Sequence, residues 1–225
     1  MIQKTPKQNL LKRLRASQSG LALTEFALSM PLMMTASMWG FETANQAIVQ
    51  MEISQLAIHM ADNASRIGDT SLLQNRKIYE SDINDVFVGA NIQAGSKIDF
   101  LGNGRAIISS LEVVDGTTDQ QYIAWQRCAG ELEHASSYGN QGDGYATGID
   151  GLGKGTDKVY AFAGEAVMFV EVAYTYQPLI SDLFTSVDEL TAIAAFTVRA
   201  DRDLSQVYQR DPSSPDPIAS CSVTP

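Results

Sequence analysis

Positive charge is scarce in this 225-residue chain, with 16 Lys and Arg against 26 Asp and Glu and a formal net charge of −10. That balance argues against a nucleic-acid partner, because phosphate binding needs the opposite sign. Histidine is limited to His59 and His134, with no third group placed to complete a zinc site or a nucleophilic triad. Both read as surface or packing residues. No Gly-x-Ser-x-Gly elbow is present, and Lys154 is not followed by the Ser or Thr of a phosphate loop. These absences point away from an enzyme, and no cofactor or metal is expected.

Acid is missing where base is concentrated. Residues 1–20 hold Lys4, Lys7, Lys12, Arg13 and Arg15 with no Asp or Glu, and they lead into LALTEFALSMPLMMTASMWGF. As a helix rising about 1.5 Å per residue, that run reaches about 30 Å, one bilayer core. The basic end predicts a cytoplasmic amino terminus with the rest of the chain on the far side of the membrane. A cleaved secretory signal would also begin basic and turn apolar. Against it, the run is longer than a usual signal core and continues without a break into a patterned helix. Glu25 is the one acid in the run, and a carboxylate there costs about 2.5–3.5 kcal/mol on insertion scales, so a partner is expected. Pro31 removes a helical hydrogen bond and is expected to bend the helix, with Thr24 and Ser29 the nearest hydroxyls able to help.

Gly20, then Glu25 and Phe26 at the fifth and sixth positions after it, then Pro31 inside the run, form a pattern. RLRASQSG followed by LALTEFALSMPLMM resembles the amino terminus of the TadE-like pseudopilins of tight-adherence (Flp-type) type IV pilus systems. The match covers about residues 13–34, and GEAVMFVEVAYTYQPLI fits the family's carboxy-terminal strand more faintly. The resemblance implies cleavage between Gly20 and Leu21 by a membrane-embedded prepilin peptidase. It further implies pairing of Glu25 with the new Leu21 amine of a neighbouring subunit, an arrangement that offsets the cost of a charge in lipid. Its implied partners are that peptidase, other pilin or pseudopilin subunits and a pilus assembly platform in the membrane. Five basic residues and no acid would leave with the leader, so eleven bases would face twenty-six acids, a formal −15. TadF- or TadG-type relatives fit the same residues.

Past the run, Val49, Ile53, Leu56, Met60, Ala64 and Ile67 form one apolar stripe that predicts a continuing amphipathic helix, closed at Gly68-Asp69. Ser81 to Asn91 reads as a second short helix. Ile107 to Val113, a turn at Asp115-Gly116, and QQYIAWQRC predict a hairpin. Met168, Val170, Val172, Tyr174 and Tyr176 line one face of a third strand, with Glu165, Glu171 and Thr175 on the other, and LTAIAAFTVR supplies a fourth. Strands following helices give an α+β class, a long amino-terminal helix laid against an antiparallel sheet of about four strands. The domain reading is a leader at 1–20, a transmembrane helix at 21–43, a head at 44–210 and a Pro/Ser-rich tail at 211–225.

Cys128 and Cys221 both follow the run, and an even count in that compartment favours a disulfide over two free thiols. The bridge would tie down the tail, which its composition otherwise marks as disordered. Residues 139–158 carry Asp143, Asp150 and Asp157 among seven glycines. Their spacing matches no EF-hand, so an exposed loop is favoured over an ion site. Two functions fit: a processed minor pseudopilin, or an uncleaved single-pass anchor for an interaction or sensing domain.

Overall fold

The computed structural model describes residue 15 and residues 19–69, 75–185, 187–199 and 201–221, with the side chains of Ser19 and Lys97 left out. Most of the basic leader and residues 222–225 therefore lie outside the described residues. Two units are distinguished, Met1–Asn45 with Pro178–Ser186, and Gln46–Gln177 with Val187–Pro225.

A single helix, α1 (Ser19–Ala64), supplies residues to both units. Its first part is long and apolar enough to cross a membrane, and none of that segment is buried against protein. The helix runs through Pro31 without interruption. Thr24 and Ser29 donate to the carbonyls of Leu21 and Phe26, not to that of Ala27, which Pro31 leaves without its usual donor.

In the second unit the rest of α1 behaves differently. Val49, Ile53, Leu56, Met60 and Ala64 are buried in one apolar cluster, as their spacing predicts. Burial of each larger side chain contributes about 1.5–3 kcal/mol relative to exposure. The helix ends at Ala64, before Gly68-Asp69, and Arg202 reaches carbonyls at and just beyond that end. Its Nη2 donates to Ala64 O at 3.3 Å and to Ile67 O at 2.8 Å. A cation at a helix carboxyl end also complements the helix dipole.

The second helix, α2 (Glu80–Ile98), is longer than the expected 81–91 and includes a break at Gly95. The short α3 (Phe100–Asn103) leads into β1 (Gly104–Val113), and β2 (Gln121–Ala129) follows. A small hairpin, β3 (Leu152–Lys154) and β4 (Asp157–Val159), precedes β5 (Ala166–Thr175) and β6 (Glu189–Thr197). The main sheet has the order β2-β1-β5-β6 with every pair antiparallel, so the class is α+β. Representative partners are Ile107 with Cys128, Ile108 with Val170, and Val170 with Ala194. The β1–β2 turn sits at Asp115-Gly116, where Gly116 supplies a φ of +81°.

One sheet face packs on α1 and α2 through Ala106, Ile108, Met168, Val170, Val172 and Tyr174. The opposite face is covered too. Leu111, Ile123, Val167 and Phe169 bury against Leu152 from the glycine-rich region and Ala161 just after it. The expectation of a plain exposed loop at 139–158 is thus corrected: the segment contains β3 and part of β4 and closes the sheet's second face. Gly153 permits this, since a Cβ there would fall 2.1 Å from the Asp157 carbonyl oxygen. Gln121 pins the cover by accepting from Ala161 N at 2.8 Å and donating to Ala161 O at 3.0 Å.

Candidate functional site

Gly20, Leu21, Glu25, Phe26 and Pro31 all lie on the exposed first part of α1. A residue needs four positions to come back to nearly the same helix face, so Leu21 and Glu25 lie one above the other on one side. Glu25 makes no hydrogen bond or ion pair among the described residues. Gly20 has open space where a Cβ would stand. The helix therefore offers an accessible Gly20-Leu21 bond and an unengaged carboxylate one turn away.

Glu42, the residue after Phe41, carries no signal in the sequence that marks it as functional. It is fully buried, and its carboxylate oxygens accept from the backbone N–H groups of Leu179 at 3.1 Å and Ile180 at 2.8 Å. No local spacing could reveal it, because those partners lie 137 and 138 residues away.

Cys128 and Cys221 form a disulfide, with Cα atoms 4.9 Å apart. The tail's composition is misleading on its own. Cys128 N donates to Ala219 O at 2.8 Å, Asn84 Nδ2 donates to Pro217 O, and Arg210 bonds Asp82 Oδ1 at 2.6 Å while lying over the Tyr79 ring. Residues 201–221 are thus fastened along α2 and β2.

The remaining polar clusters sit in the second unit. Arg127 donates two hydrogen bonds to the Glu80 carboxylate, one from Nε at 2.9 Å, and both residues are buried. His59 is exposed on α1, as expected. His134 is not a plain surface residue: Nε2 lies 2.7 Å from Glu171 Oε1 and Nδ1 lies 3.0 Å from Glu189 Oε1. Glu171, on the strand face opposite Val170 and Val172 as the alternation predicts, is buried there and accepts from Ser137 N. The imidazole bridges Glu171 on β5 and Glu189 on β6 and so staples the two strands. Glu112 is buried at the edge of a cavity of about 320 Å³ lined also by Tyr122, Asp115 and Ser205. Burial pushes its carboxyl up to about 7, with the Ser110 hydroxyl, Arg202 and Tyr122 pulling the other way. Burial likewise pushes Arg202 down to about 10.

In the glycine-rich region, Asp143 Oδ2 accepts from Asn140 N, whereas Asp150 pairs with Lys158 at 2.7 Å and accepts from the Tyr160 hydroxyl. Among the described residues no three His, Cys, Asp or Glu side chains come together as a metal site.

These features define an α+β protein with one amino-terminal helix long and apolar enough to cross a membrane and a disulfide in its sheet-bearing unit. Comparison with family models, with curated proteins and with solved structures finds no match to this chain.

Proposed function

We propose that this chain is a minor pseudopilin of the TadE-like kind, acting in assembly of a tight-adherence type IV pilus in the bacterial inner membrane. The observation that supports it best is the division of labour along α1. One continuous helix leaves its apolar first part uncovered and buries the stripe of its second part under a sheet. A subunit that must first sit in lipid and then pack by its helix against other subunits needs that division.

On this reading a prepilin peptidase cuts between Gly20 and Leu21 at the cytoplasmic face. The freed Leu21 amine of one subunit then meets Glu25 of the next, with Phe26 beside the contact. A carboxylate in lipid is far less costly beside a cation, and Glu25 has no competing partner among the described residues. The other partners are pilin-like subunits and the membrane assembly platform.

Amino-terminal sequencing of the membrane-extracted protein tests the reading. The expected start is LALTEF, and Gly20→Ala should return MIQKTP; open space at Gly20 means that this change does not disturb packing. An unprocessed, fully active wild-type chain would rule the pseudopilin out in favour of an uncleaved anchor for an interaction domain. Glu25→Ala should leave processing intact and reduce piliation.

A further inference from the structure

Glu42 stands one residue beyond the apolar run and shares a helix face with the half-buried Met38 and Asn45. A buried carboxylate is costly unless it is hydrogen-bonded, and here the bonds come from two successive backbone N–H groups, those of Leu179 and Ile180. They fix residues 178–185 at this level of α1, within the same unit. The segment makes one 3₁₀ turn, Asp182–Phe184, whose start is capped by Ser181 Oγ accepting from Leu183 N. What it presents is apolar: Leu183 is 90% exposed and Leu179 67%, while Trp39 and Phe41 on the helix are 63% and 66% exposed.

We infer that residues 178–185 form a membrane foot that inserts Leu179 and Leu183 at the headgroup–acyl boundary of a lipid bilayer, with Glu42 as its clasp. The inference rests on the reading of the apolar run as a span. If Leu21 to Phe41 crosses the core, about 31 Å of helix brings Phe41 to one edge of it, where aromatic side chains favour the interface. A segment hydrogen-bonded to residue 42 is then held at that same depth. Leucine tips placed there lose contact with water by dipping inward, as the apolar side of an interfacial helix does. Lipid surrounds a spanning helix at this depth without recruitment. Asp182, the one charge of the turn, is exposed, so attachment is expected to need no anionic lipid.

The test uses the full chain in phosphatidylcholine vesicles with an environment-sensitive dye on a single introduced thiol, Leu183→Cys or, independently, Leu179→Cys. The native cysteines are both engaged in the disulfide, so only the new thiol reacts. A dye at Met33→Cys reports the span. Expected is quenching of the Met33 dye by lipids brominated deep in the acyl chain. The foot dyes should be quenched by shallowly brominated lipids, with aqueous iodide at least about twofold less effective than in detergent-free buffer on the free dye. Glu42→Ala should return the foot dyes to iodide and leave the Met33 dye unchanged; no change at the foot would overturn the clasp. Full iodide access at the foot with a lipid-quenched Met33 dye would overturn the foot while leaving the span intact. Iodide access at Met33 would overturn both. Foot dyes screened from lipid and iodide alike would mean that a protein copy covers the leucines, which also overturns the lipid assignment.

Discussion

Ionisation of Glu112 bears directly on stability. Its carboxyl is held at about 7 in the folded chain against an ordinary 4.5, because burial penalises the anion more than Ser110, Arg202 and Tyr122 favour it. The folded state therefore binds the proton more tightly than the unfolded state. The stability this contributes is fully present below about pH 4.5 and is lost as pH rises through about 7, by about 3 kcal/mol at most. Urea unfolding of the full chain in detergent, across pH 4 to 8, is expected to show this decline relative to Glu112→Gln, which carries no such proton. Parallel pH profiles for the two proteins would contradict it. The pair Glu80 and Arg127 illustrates the other outcome of burial. Two hydrogen bonds hold the ions together, and removing either partner alone would strand a buried charge.

Among the elements, the β3–β4 hairpin departs most from its composition. Seven glycines and three aspartates in 139–158 read as solvated turn chemistry. Tertiary contact turns the region into a cover, with Leu152 buried against Leu111, Ile123, Val167 and Phe169. Leu152→Ala is expected to cost about 2–5 kcal/mol in urea unfolding, the range for deleting a buried leucine. A loss within about 0.5 kcal/mol, typical of an exposed position, would show the cover to be incidental. The four long strands, by contrast, were legible in advance. Met168, Val170, Val172, Tyr174 and Tyr176 alternate on one face and all are buried. Burial itself does not alternate in β1 or β5, because as inner strands both are buried on both sides for nearly their whole length.

At the scale of the whole molecule, the Cys128–Cys221 bridge closes a sequence separation of 93 residues. In the chain-entropy model a loop of that length contributes about 4–5 kcal/mol by restricting the unfolded chain. Replacing both cysteines by Ser is expected to lower the urea midpoint by a corresponding amount. Residues 201–221 should then become more accessible to protease while α1 keeps its helicity by circular dichroism. An unchanged midpoint would show that the hydrogen bonds of Ala219, Pro217 and Arg210 fasten the tail unaided. The helix α1 sets the other whole-molecule feature, since its first part is uncovered and its second lies in the core.

By itself the sequence determined the features written in local periodicity and charge. These are the apolar run after Gly20, the stripe from Val49 to Ala64, the alternating strands and hence the α+β class. Each follows from a repeat of side-chain type along one element, which needs no knowledge of what the element meets. Tertiary structure alone decided the pairings between distant positions: Glu42 with Leu179 and Ile180, His134 between Glu171 and Glu189, Arg202 at the end of α1, and the hairpin over the sheet. A buried polar group must find its partner wherever the folded chain places one, and that position leaves no trace in spacing.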